Sequence, residues 1–293
     1  MTTAQQSGPT PAQVCMTLSA IAASGATRRP SGETRHEHEQ RIMLGIRTQL
    51  ADPSLATGGT WQLLWFGLTP DNGNLAYIAG NSAVPGEFAV AVRGTVFSNV
   101  IDLLEDFEVG TAVPFDTGGA LDHGKVSKGA MDAFRSIVKQ RGASLKPEGA
   151  EGAGAIFGRT LAEALEAVTA PVHDATVYVT GHSLGGCLAT MLAPYLKARP
   201  RQAAQFALLT FAAPTAGLQS FADYVESVPW SLQERHVNAY DLVPMAWADI
   251  TAAEKWYPTP PGPKADDEVS RCWRASPRCP GPTRTSSRAL PSP

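Results

Sequence analysis

The fold of this chain is decided by residues 175–186, which read Ala175-Thr-Val-Tyr-Val-Thr180-Gly181-His182-Ser183-Leu184-Gly185-Gly186. The first six residues form a continuous, β-branched run that is typical of a central parallel strand. From residue 184 to residue 196, apolar side chains recur at helical spacing. A serine hydroxyl is a poor nucleophile unless a sharp turn exposes it to a base. A strand, a glycine turn and a helix in this order therefore predict Ser183 as a nucleophile.

The glycines of this turn suit that role. Gly181 and Gly185 would let the strand and the helix approach closely, and a helix N-terminus favours negative charge. His182 is expected to point away from its neighbour Ser183 and to pack, and Cys187 is expected to be a buried thiol. The competing interpretation is a glycine turn in which the serine has no catalytic role.

Strand and helix signals alternate along the rest of the chain. Two β-rich runs bracket a turn cluster within residues 60–78, which predicts a hairpin. Further strands are predicted at residues 88–92, 206–212 and 236–239, and further helices at residues 14–23 and 156–167. The alternation predicts an α/β fold, with a mostly parallel central sheet and helices on both faces.

Length and composition limit the function classes. With 293 residues, 43% apolar and 17% charged, the chain suits one α/β domain, and its net charge of -3 gives no reason to expect a nucleic-acid partner. The four cysteines form no metal-ligand pattern. Residues 35–40 are dense in His and Glu but lack the spacing of a zinc helix, so they predict a solvated surface. No cofactor and no metal are expected.

The two ends of the chain differ from its middle. Residues 1–13 contain no Lys or Arg, so the apolar run that follows is interpreted as a first helix and not as a secretory leader. No apolar run reaches the roughly 18 residues of a transmembrane helix. A cytoplasmic location is the default expectation, and release by another route stays open.

Residues 1–265 are predicted to form one domain, followed by a tail, residues 266–293. Of the last 24 residues, 15 are Arg, Pro or Ser, and none is Asp, Glu or Lys. Such a segment has little apolar surface to bury and is expected to be disordered. A reading-frame change in the coding sequence is a hypothesis for its origin.

Six ordered segments between Phe88 and Pro244 resemble the class 3 lipases, the fungal triacylglycerol lipases and their bacterial relatives. They are Phe88-Ala-Val-Ala-Val-Arg-Gly-Thr95, Leu103-Leu-Glu-Asp106, Val126-Ser-Lys-Gly129, the Gly181–Gly186 turn, Thr210-Phe-Ala-Ala-Pro214 and Val237-Asn-Ala-Tyr-Asp-Leu-Val-Pro244. The Trp of the family's second segment is absent, and Ser127 replaces a His. The fifth segment resembles the family's Thr-Phe-Gly-x-Pro. The resemblance implies an α/β-hydrolase that acts on carboxylic esters.

The resemblance also implies roles for particular residues. Ser183 would attack the ester carbonyl, and the backbone amides of Leu184 and Thr95, with the Thr95 hydroxyl, would stabilise the oxyanion. Asp241 would orient a histidine base. Without the family, the favoured interpretation of Asp241 is a turn residue before Val-Pro, and Thr95 is equally well interpreted as a hydroxyl that caps its own loop.

The expected histidine is missing, because none of the six histidines follows Asp241. The order in α/β-hydrolases is serine, acid, histidine. In one explanation, a frame change or truncation removed the base of a competent lipase. In a second, His236 or His123 serves instead. In the third, the protein is a lipase-shaped binding module without turnover.

The expected partner is a small-molecule or lipid ester. Between Thr95 and Gly129, apolar residues such as Ile101 and Leu104 interleave with acids such as Asp102 and Glu105, as on an amphipathic helix. By resemblance, the family places its mobile lid near here. The two interpretations are a lid that makes transient contact with a lipid surface, and an ordinary helix packed on the sheet.

Overall fold

The computed structural model describes residues 8–93, 111–117, 123–143, 156 and 158–245. Its helices are α1 (Pro11–Ser24), α2 (Arg35–Leu50), α3 (Lys128–Lys139), α4 (Leu161–Thr169), α5 (Leu184–Lys197) and α6 (Gln219–Ser227). Its strands are β1 (Trp61–Leu68), β2 (Leu75–Asn81), β3 (Glu87–Arg93), β4 (Ala112–Pro114), β5 (Lys125–Ser127), β6 (Thr176–His182), β7 (Gln205–Phe211) and β8 (Leu232–His236). A 3₁₀ turn, Val243–Met245, follows β8.

Six of these strands form one sheet in the order β1-β2-β3-β6-β7-β8. The strands β3, β6, β7 and β8 pair parallel, whereas β1 pairs antiparallel with β2, and β2 with β3. The predicted hairpin of residues 60–78 is confirmed as β1 and β2. The strands β4 and β5 form a separate small antiparallel ribbon. The predicted α/β architecture, with its mostly parallel sheet, is present.

Helices cover both faces of the sheet, as predicted. On one face, Leu18 and Ile21 of α1 and Ile46 of α2 pack in one cluster with Phe66 and Tyr77 of the hairpin. On the other face, buried residues of α3, α4, α5 and α6 pack with alternate residues of the same strands. Side chains alternate between the two faces along a strand, so a strand buried on both sides must be apolar almost throughout. On β6, Val177 and Val179 meet this requirement on the face of α5, whereas the buried Thr180 faces α1 and is satisfied by hydrogen bonds to Ser19 and to the Cys15 carbonyl.

The carboxyl end of β3 is fixed by a buried arginine. Arg93 is only 4% exposed, and its guanidinium donates hydrogen bonds to the carbonyls of Gly25, at the end of α1, and Asn72, in the β1–β2 turn. Burial lowers the Arg93 pKa to about 10, and the Asp71 carboxylate acts in the opposite direction. The end of the strand is thereby tied to the first helix and to the hairpin.

Two local expectations were wrong. The strand predicted at residues 236–239 lies earlier, at Leu232–His236. This edge strand is half-exposed and polar, so its position follows from pairing with β7 and not from an apolar pattern. The solvated surface predicted at residues 35–40 includes His38, which is 2% exposed because it shares the sheet-facing side of α2 with Ile42 and Ile46.

Candidate active site

Ser183 occupies a strained turn between β6 and α5. Its backbone has φ 53° and ψ -128°, a region that residues with side chains rarely adopt. The serine is the N-cap of α5, yet its side chain makes no capping hydrogen bond. The oxygen of an N-cap serine usually accepts a hydrogen bond from a backbone N–H in the first turn of the helix. The Ser183 hydroxyl is half-buried at the sheet edge and is not committed to the helix.

Glycines make this turn sterically feasible. A Cβ on Gly181 would overlap the carbonyl of Gly185, and a Cβ on Gly186 would stand 2.7 Å from that of Ala213. The strand and the helix therefore pass each other with backbone against backbone. Leu184 begins the helix, where the first amides have no partner inside the helix and carry the positive end of its dipole. Negative charge on an oxyanion beside Ser183 would be stabilised by the N-terminus of this helix.

Hydrogen bonds align the carboxyl ends of three parallel strands beside this turn. The Ser183 amide donates to the Phe211 carbonyl at 2.9 Å, and the Ala212 amide donates to the His236 carbonyl at 2.8 Å. The loops that follow β6, β7 and β8 consequently leave the sheet at one edge. In open α/β sheets, this carboxyl edge is where ligands bind.

Asp241 lies in the loop that follows β8, at this same edge. Its Oδ1 accepts a hydrogen bond of 3.0 Å from the Val243 amide, and its own amide donates to the Asn238 carbonyl. The carboxylate thus shapes its own turn and is half-buried. The structure brings the loops of Ser183 and Asp241 to one edge, separated by the loop after β7. Thr95 lies outside the described residues, as do the apolar and acidic stretch considered for a lid, residues 100–108, and the predicted tail, residues 266–293.

The two histidines considered as the base are engaged elsewhere. His236 ends β8 with its Nε2 2.8 Å from Glu234 Oε2, and its ring stacks on Phe211 at 4.9 Å between centroids. His123 stacks on Tyr224 at 4.2 Å. His182 is exposed, although a packed side chain was expected for it. The strand β7 lies between β6 and β8. To reach Ser183, the His236 ring would therefore have to break its contact with Glu234 and pass over the carboxyl end of β7.

The helix that follows Ser183 is buried and largely apolar in its first turns. Cys187, in the first turn of α5, is fully buried as expected, and burial raises its thiol pKa to about 12. Within the described ranges, no group of three or more His, Cys, Asp and Glu side chains is arranged to hold a metal ion. In the same part of the chain, no helix is both long and apolar enough to cross a membrane.

Comparison with known proteins identifies the family. The model of the class 3 lipases matches residues 89–250, more than half of the chain, and this span contains the Ser183 turn and Asp241. The chain belongs to the class 3 lipase family. No match was found among curated protein sequences.

Solved lipase structures share the fold of this class 3 lipase. The M37 lipase is 24% identical with a TM-score of 0.73, and the alignment covers 91% of this chain and 79% of that one. A triacylglycerol lipase whose catalytic centre is described as a serine protease triad is 22% identical, with a TM-score of 0.53 and coverage of 79% and 71%. The nonglycosylated LIP2 lipase of Yarrowia lipolytica is 17% identical, with a TM-score of 0.52 and coverage of 78% and 72%. At these identities the likeness shows the α/β-hydrolase fold.

Sequence reasoning missed two residues of the site. Arg235 on β8 contacts both loops that flank the edge, and Ala212 adopts a left-handed backbone with φ 47°. Arg235 gave no signal because its strand was placed too late in the chain. Ala212 did carry a signal, because it stands where the family has a glycine, the residue that accepts this conformation at no steric cost.

Proposed function

We propose that this class 3 lipase is a serine ester hydrolase, with Ser183 as the nucleophile that forms an acyl-enzyme. The observation that carries the proposal is the Ser183 turn itself. A strained serine whose hydroxyl is withheld from its own helix is costly unless the hydroxyl serves another purpose. The helix N-terminus beside it suits the negative charge that develops when an ester carbonyl is attacked.

The roles of the remaining groups follow from acyl transfer. The Leu184 amide and Thr95 would hold the oxyanion, each donor being worth about 3 to 4 kcal/mol of transition-state stabilisation. Asp241 would orient the base and stabilise its cation. The substrate is a carboxylic ester with an apolar acyl group, either a small molecule or a lipid. Transient contact with a lipid surface through the stretch between Thr95 and Gly129 is part of the same proposal.

The identity of the base divides this proposal into two cases. If His236 acts as the base, its ring must give up the hydrogen bond to Glu234 and form one to Ser183. Substitution of His236 should then abolish turnover. If the base is lost, the residual rate should come only from the oxyanion site and binding. Replacement of His236 and of His123 by glutamine separates these cases.

The second candidate is a lipase-shaped binding module without turnover. It is favoured by the absence of a histidine after Asp241 and by the engagement of His236 with Glu234. Such a module would bind an ester or fatty acid in the same place and release it unchanged.

Hydrolysis of p-nitrophenyl butyrate and octanoate by the whole chain tests the proposal. We expect turnover that Ser183→Ala abolishes, with Ser136→Ala on α3 as a matched serine control that keeps the wild-type rate. A fluorophosphonate probe should label Ser183 alone among the serines. Wild-type protein that hydrolyses no faster than Ser183→Ala and resists the probe would overturn the hydrolase. Saturable binding of a fluorescent fatty acid would then support the binding module.

A further inference from the structure

Arg235 lies between the two loops that border the candidate site. It pairs with Thr210 in the parallel register of β7 and β8, so its side chain faces α5. Its Nη2 donates a hydrogen bond of 2.9 Å to the Ala213 carbonyl, in the loop after β7, and one of 3.2 Å to the Pro244 carbonyl, just beyond Asp241. One guanidinium group therefore holds both loops.

Loss of the hydrogen bonds from Arg235 to the two carbonyls should be costly, because the guanidinium is partly removed from water. Arg235 is half-buried; desolvation lowers its pKa, and the Cys187 thiol on α5 acts in the opposite direction. A buried cation is costly unless hydrogen bonds replace its hydration, and removal of the partner leaves carbonyls unsatisfied. Arg235 is thus held among three elements: the helix that follows Ser183, the loop after β7 and the loop that carries Asp241.

The hydrogen bonds within the Asp241 loop are short in sequence separation. Tyr240 and Asp241 donate to Asn238, Val243 donates to Asp241, and Met245 donates to Leu242. Bonds between residues two or three apart fix the shape of a turn but move with it. The bond from Arg235 to Pro244 instead connects the loop to the sheet.

We propose that Arg235 is a positioning residue that fixes the Asp241 loop against the loop after β7 and against α5. The inference rests on the proposed function insofar as Asp241 is the acid of the site. Arginine suits this task because its planar fork can donate to several acceptors at fixed angles, which a lysine ammonium cannot do.

Hydrogen exchange tests the placement without any need for turnover. In Arg235→Met and Arg235→Lys, we expect exchange at residues 238–245 to rise about tenfold or more, while β6 and α5 keep wild-type protection. Arg141→Lys is the matched control, because Arg141 also donates to a loop carbonyl, that of Gly158, away from this edge. A uniform rise across the sheet, or unchanged exchange at residues 238–245, would overturn the proposal.

Kinetics test the link to Asp241. A substitution that misplaces a reacting group by about 1 Å can lower the rate by about 100-fold. We expect kcat for p-nitrophenyl butyrate to fall by this factor in Arg235→Met with KM within twofold, and by less in Arg235→Lys. In an Asp241→Asn background the Arg235 substitution should add almost nothing, because the two residues act as a unit. Full additivity would contradict the positioning role.

The exchange and kinetic measurements distinguish failure of the hydrolase proposal from failure of the positioning role of Arg235. If the wild-type chain does not hydrolyse esters, the hydrolase proposal fails, and the exchange measurement alone decides the role of Arg235. If the chain is active and the exchange pattern is unchanged, the hydrolase stands and the positioning role fails.

Discussion

Gly181 lies against Gly185 so closely that a single methyl group on Gly181 would overlap the Gly185 carbonyl oxygen. The obstruction is backbone, which cannot rotate away as a flexible side chain can. We expect Gly181→Ala to lower the free energy of unfolding by about 3 kcal/mol or more, since overpacking here must displace a strand or a helix. Urea denaturation measures this loss.

A second glycine provides the control for this substitution. Gly45 lies on the exposed side of α2, and a Cβ there would meet open space. Gly45→Ala should therefore raise the unfolding free energy by up to about 1 kcal/mol, the difference in helix propensity. Equal effects of the two substitutions would show that the close approach at Gly181 is absent.

Ala212 should be more stable as glycine. Its φ of 47° is left-handed, a conformation that costs a residue with a Cβ about 1 to 2 kcal/mol. Allowing for the larger entropy of glycine in the unfolded chain, we expect Ala212→Gly to raise the unfolding free energy by about 1 kcal/mol. Ala20→Gly, on the exposed side of α1, should instead lower it by about 1 kcal/mol. Loss of stability in both variants would refute the left-handed assignment.

The buried thiols should be chemically silent in the folded protein. Cys15 and Cys187 are fully buried, and burial raises both thiol pKa values above the ordinary 9.0, to about 12 for Cys187. Because the thiolate is the reactive form, iodoacetamide at pH 8 should leave both residues unmodified until denaturant is added. Peptide mass spectrometry reads the result. Rapid native alkylation of either residue would contradict the buried placement.

The same thiols predict an alkaline limit to stability. Above pH 9 the unfolded chain loses these protons while the folded chain keeps them, so the unfolding free energy should fall as pH rises from 9 towards 12. Thermal unfolding of Cys187→Ala should depend less steeply on pH in this range than that of the wild type. An identical slope would show that the thiol is not shielded.

Glu33 should contribute to stability at neutral pH and lose that contribution in acid. Its carboxylate accepts hydrogen bonds from Arg41 at 2.8 and 3.0 Å and lies 3.0 Å from the His38 Nδ1. The hydrogen bonds from Arg41 are the largest cause that holds its pKa below 4.5, with a smaller contribution from His38. The unfolded chain therefore takes up this proton first as pH falls below about 4.5, and stability declines.

Glu33→Gln is expected to flatten part of that acid dependence. We expect the melting temperature of this variant to fall less between pH 6 and pH 3 than that of the wild type. Glu226→Gln, at the exposed end of α6, serves as the control and should follow the wild-type curve. A Glu33→Gln curve parallel to the wild type would exclude the Glu33–Arg41 interaction from acid unfolding.

The sequence by itself determined the Ser183 turn, the β1–β2 hairpin, the alternation of strands and helices, and the family. These features are encoded locally: a buried parallel strand must be apolar throughout, a helix repeats at 3.6 residues, and a tight turn needs glycine. Ser183 could be named because its environment is built by its immediate neighbours.

Only the tertiary structure decided what depends on partners distant in the chain. The polar edge strand β8 takes its position from hydrogen bonds to β7, and His38 is buried because α2 lies on the sheet. Arg235 reaches the carbonyls of Ala213 and Pro244 and lies near Cys187 because β6, β7 and β8 pair side by side. Such contacts form between segments that are distant in the chain, so they cannot be predicted from a local pattern of residues.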